Sequence, residues 1–161
     1  MEYLPLFFRV LGEPVVLIGG GEIAARKARL LLRAGAKLRV VAPEVSADMQ
    51  ALISSGDIEW LQNDYHYELL EGARLVVAAT SDHGVNEEVH NDAVERMLPV
   101  NVVDAPHLCT IIFPSIVDRN PLLIAISSSG RSPVLARILR RKIESMVPAA
   151  YGRLAEFAGR F

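Results

Sequence analysis

The amino-acid sequence predicts an α/β fold with a parallel main sheet, and three observations carry that expectation. Apolar strand-like runs alternate with helical periodicity through the first hundred or so residues, the pattern of a parallel sheet covered by helices. A glycine turn, Gly19-Gly20-Gly21, joins the apolar run Val15-Val16-Leu17-Ile18 directly to the helical pattern that opens Glu22-Ile23-Ala24. After Val103 the alternation stops, and two apolar runs follow with no helical pattern between them.

Taken in order, strands are expected at 15–18, 38–42, 58–61, 75–79 and 100–103. Between the first two, Ala24, Ala28, Leu31 and Leu32 repeat every three to four residues as one helix face, and Gly35 suits the left-handed position that ends it. Ser46 is a natural N-cap for a second helix through Ile53, closed by Ser54-Ser55-Gly56. A third helix is expected over 85–97, capped by Ser81 or Asp82 and prevented from continuing by Pro99. Beyond it, 111–113 and 122–126 read as two antiparallel strands joined by the polar turn Asp118-Arg119-Asn120-Pro121. Two strands alone are marginally stable, so this pair requires another layer or a partner subunit. Ser132 as N-cap and Pro133 as first helical residue then open a helix through Met146. The organisation predicted is a nucleotide domain at 1–104, a strand pair and dimerisation region at 105–132, and a basic helical segment at 133–161.

The glycine turn carries the first chemistry, that of a Rossmann-like dinucleotide site. Gly19 permits the sharp turn, Gly21 permits close approach of backbone to a pyrophosphate, and Ala24 keeps helix and strand together. The helix N-terminus, at Glu22 and Ile23, offers unpaired N–H groups and partial positive charge to the anion. The competing reading is a turn that merely joins strand to helix. Ligands of such sheets lie beyond the carboxyl ends of the strands, which singles out Pro43 and Glu44, Thr80 to Asp82, and Asp104. Glu44 is the candidate for the ribose hydroxyls. No Arg or Lys directly follows that strand to receive a 2′-phosphate, which favours NAD over NADP. Asp104, after a buried strand at the cofactor edge, is the candidate proton acceptor, its bland alternative being a turn residue before Pro106.

Composition bounds the rest. The chain has 161 residues, 51% hydrophobic, with a single cysteine, Cys109. It contains no apolar run of bilayer-spanning length, and its start lacks the basic region of a signal peptide, so a cytoplasmic protein without membrane association is expected. His66, His83, His90 and His107 lack the close spacing of a zinc site, so no resident metal is expected. Residues 1–118 hold 9 Lys/Arg against 17 Asp/Glu, a net −8, whereas residues 119–161 hold 8 against 2, a net +6. The basic segment points to an anionic partner: nucleic acid, acidic lipid or a small molecule with several carboxylates. Few aromatics accompany it and it carries no nucleic-acid-binding motif, so nucleic acid is not expected. The loop Ser127-Ser128-Ser129-Gly130-Arg131, at a helix N-terminus, suits carboxylates or phosphate.

Along essentially its full length the chain resembles the precorrin-2 dehydrogenase and sirohydrochlorin ferrochelatase module found at the N-terminus of siroheme synthases. The residues that carry the resemblance are Tyr3-Leu4-Pro5, Gly19-Gly20-Gly21 with Ala24, Arg26-Lys27-Ala28, Ala78-Ala79-Thr80, Asn101-Val102-Val103-Asp104-Ala105-Pro106, Pro114-Ser115-Ile116 and Ser132-Pro133-Val134-Leu135-Ala136-Arg137. The segment His107-Leu108-Cys109 departs from the small or basic residues expected after the Asp104 motif. The resemblance implies NAD as hydride acceptor while precorrin-2 becomes sirohydrochlorin, and ferrous iron as a second substrate in those members that also chelate. It implies a catalytic role for Asp104, NAD contacts from Gly19, Gly21, Glu22, Ile23, Pro43, Glu44 and Thr80, and tetrapyrrole contacts from Ser128, Arg131 and Arg137. Ser128 also aligns with a serine that is phosphorylated in some members. A homodimer and a following methyltransferase domain in a longer protein are further implications. An NAD-binding regulatory module without chemistry, and a dehydrogenase that does not chelate, are the alternatives.

Overall fold

The computed structural model describes residues 2–160, which divide into two compact units, one formed by residues 5–111 and the other by the described residues on either side of it. In the first unit the described residues form a five-stranded parallel sheet in the order β3-β2-β1-β4-β5. The strands are β1 (Pro14–Ile18), β2 (Lys37–Val41), β3 (Ile58–Leu61), β4 (Leu75–Ala78) and β5 (Val100–Val102). The strand order reverses at β1, where neighbours β2 and β4 carry the chain away to opposite sides, and the carboxyl ends of β1 and β4 are where such a sheet places its ligand. β1 and β4 lie inside the sheet and are buried at every residue but Pro14, which is why they read as unbroken apolar runs rather than alternating ones.

The helices are α1 (Glu22–Arg33), α2 (Ala47–Ile53) and α3 (His83–Glu95). Ala24, Ala25, Ala28 and Leu31 bury one stripe of α1, and the small residues in it let helix and sheet approach closely. α3 buries Val89 and Ala93 against Val16, Ile18, Val76, Ala78, Val100 and Val102. Each fully buried aliphatic side chain in this cluster contributes about 1.5–3 kcal/mol relative to exposure. The expected caps are resolved by geometry: Ser46 accepts from Met49 N, and Asp82 rather than Ser81 caps α3, accepting from Gly84 N and Val85 N. Helix α3 accordingly starts two residues earlier than expected.

In the second unit β6 (Ser115–Arg119) pairs antiparallel with β7 (Leu122–Ile126), and α4 (Pro133–Met146) and α5 (Ala150–Ala158) pack on this hairpin. The antiparallel pairing matches the expectation, but its first strand does not. The run at 111–113 is not a strand: Thr110 N and Ile111 N both donate to Val100 O, at 2.9 and 3.2 Å, so this stretch is drawn back beside the first residue of β5. Asp118 and Arg119 belong to β6, leaving Asn120-Pro121 as a two-residue turn. For the same reason the first unit extends to Ile111, beyond the boundary expected at 104; separately, the described residues before Pro5 fall with the second unit. Ser132 caps α4 by accepting from Leu135 N, with Pro133 following. No described helix is long and apolar enough to cross a membrane.

Candidate functional site

The site is built on the carboxyl ends of β1, β2, β4 and β5. Gly19 leaves β1 at φ +118°, and a Cβ on it would lie 2.5 Å from Ala79 O, so only glycine fits between β1 and β4 here. Gly19 N donates to Val41 O and Ala79 N donates to Ile18 O, both at 2.8 Å, so the turn is tied to the strands on both sides. Gly20, which was not singled out from the sequence, is tighter still: its Cβ would stand 2.1 Å from Glu44 O. Its carbonyl accepts from Ser46 N at 2.8 Å, locking the glycine turn to the loop after β2. The signal for Gly20 was the run of three glycines where two positions have assigned roles.

Gly21 is different in kind. It is the N-cap of α1, makes no side-chain cap bond, and a Cβ built on it meets nothing within 4 Å. Open space therefore faces a helix start whose first N–H groups have no capping side chain. Those groups and the helix dipole fit a diphosphate, and Glu22 and Ile23 occupy the exposed first turn.

After β2 the chain runs through Pro43 and Glu44, both exposed. Trp60 Nε1 donates to Ala42 O at 3.1 Å and Gln62 Nε2 to Pro43 O at 3.2 Å. After β4, Thr80 sits in a closed network: its hydroxyl donates to Asp82 O at 2.9 Å and accepts from Asp82 N at 3.0 Å, while Asn86 Nδ2 donates to Thr80 O at 3.1 Å. Asn86 is one of two buried polar residues among those described, and sequence reading passed over it. Its signal was an amide on the α3 stripe shared with Val89 and Ala93.

Asp104 follows β5 with its side chain exposed and its backbone in the left-handed region at φ +58°. Aspartate tolerates that conformation better than most residues. The loop that presents it is pinned by Cys109, whose Sγ accepts from Val102 N at 3.2 Å and lies 3.1 Å from Val102 O and 3.4 Å from Ala105 O. Asn101 Nδ2 donates to Ile111 O at 3.0 Å, closing the loop at its base. Burial pushes the Cys109 thiol above its ordinary range, against a backbone hydrogen bond and the charge of Lys27. Lys27 lies half-buried on α1, and burial pushes its ammonium below the usual lysine range while Cys109 and Asp104 oppose the shift. A cation thus sits within electrostatic reach of the Asp104 loop. Its sequence signal was a charge beside the apolar stripe of Ala24, Ala28 and Leu31.

Ser128, Arg131 and Arg137 lie in the second unit. Ser128 Oγ accepts from Ser132 N at 2.9 Å and Ser128 O accepts from Arg131 N at 3.1 Å, so the serine shapes the turn before α4. Arg131 and Arg137 are exposed, and Arg131 stands 4.0 Å from Glu2. Among the described residues no group of three or more His, Cys, Asp or Glu is placed to hold a metal ion.

Comparison with known proteins agrees with this layout. The siroheme synthase of Pseudomonas entomophila (strain L48) is 57% identical over 161 residues, all of this chain and 35% of that protein. That of Photorhabdus laumondii is 50% identical over the same span and 34% of its own length. The chain therefore spans about a third of the length of these curated relatives. A solved structure described as SirC, precorrin-2 dehydrogenase, superposes with a TM-score of 0.82 at 28% identity, over 96% of this chain and 76% of that one. The family described as sirohaem biosynthesis protein, central, matches residues 119–146. The family described as putative NAD(P)-binding matches residues 6–115, and with its glycine turn, open helix start and strand order all in place, the chain belongs to that family.

Proposed function

We propose that this chain oxidises precorrin-2 to sirohydrochlorin with NAD, Asp104 taking the proton. The observation that carries the reading is a single sheet edge bearing both an uncapped helix start over an open Gly21 and an exposed carboxylate held on a pinned loop. The length-wide likeness to siroheme synthases and to SirC supports it. Bound at the glycine turn, NAD supplies a hydride acceptor. Gly19, Gly21, Glu22 and Ile23 would hold its diphosphate through backbone, Glu44 beside Pro43 would bind a ribose, and Thr80 would border the crevice after β4. Loss of a hydride from the macrocycle must be matched by loss of a proton, and the Asp104 carboxylate is the acceptor.

Ser128, Arg131 and Arg137 are assigned to the carboxylates of the tetrapyrrole, in keeping with the basic balance of residues 119–161. Ser128 is also the residue whose phosphorylation would add negative charge beside those arginines. The same base serves ferrous iron insertion, which releases pyrrole N–H protons. The macrocycle nitrogens ligate the metal, so this second activity requires no resident metal site. A homodimer fits the exposed Val134, Leu135, Ile138 and Leu139 of α4 and Tyr151, Leu154 and Phe157 of α5. The expected setting is the cytoplasm, within a longer protein that carries a methyltransferase domain.

Anaerobic incubation with precorrin-2 and NAD, followed at the NADH absorbance band, tests the reading, and no NADH formation overturns it. Sirohydrochlorin with ferrous ion tests chelation separately, and an unchanged spectrum removes that activity alone. Sedimentation equilibrium tests the dimer, which a monomer mass overturns.

A further inference from the structure

We infer that Trp60 and Gln62, at and just past the end of β3, are positioning residues for the adenosine end of the dinucleotide site. They hold the loop after β2 in the shape that presents Glu44 to a ribose. This rests on the dinucleotide reading above and adds two residues, one on β3 and one in the turn after it, that bear no part of the site themselves.

The backbone shows why outside help is needed. The β2–β3 ladder ends where Ala42 N donates to Leu61 O at 3.2 Å. The next residue, Pro43, has no N–H to extend it. Just here two consecutive carbonyls receive side-chain donors from the neighbouring strand, Ala42 O from the Trp60 indole and Pro43 O from the Gln62 amide. On the other flank, Ser46 N donates to Gly20 O, and Glu44 O packs where a Gly20 side chain would be. Glu44 is thus gripped on both sides by fixed backbone while its own carboxylate stays exposed. Such fixation reduces the ordering that ligand binding must impose on the loop, so it acts on affinity. The Gln62 bond is exposed and adds little to folding, which separates the two effects.

Trp60 is the sole tryptophan in the chain. Its indole bond to the loop makes its emission a direct reporter. The test uses the purified chain with ADP-ribose, which holds the adenosine and diphosphate but no nicotinamide ring that could itself quench tryptophan. Calorimetry and tryptophan emission are read for wild type and for Gln62→Met, which keeps side-chain length without the donor. Trp60→Phe, which keeps a ring without the N–H, is read by calorimetry alone. The expected result is an emission change in wild type and a Kd raised about threefold to tenfold in each variant. The ligand-free melting temperature of Gln62→Met stays within about 2 °C of wild type. Wild-type affinity for ADP-ribose in both variants overturns the inference while leaving the dinucleotide site standing. Failure of the wild type to bind ADP-ribose or NAD overturns the dinucleotide reading instead, and this inference with it.

Discussion

At φ +58°, Asp104 ties its chemistry to its backbone, which decides how it must be tested. Alanine there removes the carboxylate and also disfavours a left-handed conformation by about 1–2 kcal/mol, so lost activity would have two causes. Asparagine tolerates the same conformation and lacks only the charge and basicity. Asp104→Asn is expected to lower kcat for precorrin-2 oxidation by about a hundredfold or more while leaving the Kd for NAD within twofold. Full turnover in that variant, measured as NADH formation, would remove Asp104 from the base role. Cys109 gives a second test from the same loop. Its folded pKa is raised by burial, so its contribution to stability is complete below the ordinary thiol pKa of about 8.5 and is lost as pH rises through the folded value. Melting temperature should therefore decline above about pH 8.5 in wild type, and Cys109→Ser should flatten that limb. Parallel curves for the two proteins across this window would show that the thiol does not contribute.

The elements divide into those that local pattern specifies and those that only packing decides. The five parallel strands and the caps at Ser46 and Ser132 were legible because buried runs, hydroxyl caps and proline write themselves into neighbouring residues. The run at 111–113 reads as a strand in the sequence because hydrophobicity cannot distinguish pairing in a hairpin from packing beside β5, and the hydrogen bonds of Thr110 N and Ile111 N to Val100 O place its start beside the first residue of β5. Of the residues proposed for the site, Gly19, Glu44, Thr80 and Asp104 stand out in the sequence by their places after strands. Lys27, Asn86, Trp60, Gln62 and Cys109 were not given roles, because each acts through a partner that is distant in sequence or set by loop geometry. Gly20 belongs with them. Its missing side chain leaves room for Glu44 O, so two loops interlock as one element. Gly20→Ala forces backbone apart and should cost about 1–3 kcal/mol, with weakened NAD binding alongside. Gly21→Ala meets open space and should fold with near wild-type stability while still impairing the diphosphate contact. Chemical denaturation of the two variants checks the contrast, and equal destabilisation would refute the distinction drawn between adjacent glycines.

Over the whole molecule, charge is separated rather than balanced: the net −2 conceals an acidic nucleotide-binding portion and a basic remainder. α4 alone carries Arg137, Arg140, Arg141 and Lys142 against Glu144, and Glu144 is already engaged by Arg140 at 2.9 Å. Arg119 is bound up as well, donating to Val147 O and Glu144 O, so it serves the packing of α4 rather than an incoming anion. The charge left to attract a ligand therefore rests on exposed arginines, among them Arg131 and Arg137. Exposed charges act over a Debye length of about 8 Å at physiological salt and about 3 Å at 1 M. A substrate held by several such contacts should respond steeply to salt, whereas a diphosphate held by backbone N–H groups at a helix start should respond weakly. Raising salt from about 0.05 M to 0.5 M is expected to raise KM for precorrin-2 severalfold and KM for NAD less than about twofold. Arg137→Gln should reproduce part of the high-salt KM for precorrin-2 at low salt and should flatten the remaining salt response, since it removes one of the charges being screened. Identical salt slopes for the two substrates would mean that the basic segment does not recognise the tetrapyrrole, and that those arginines are solvated surface charges.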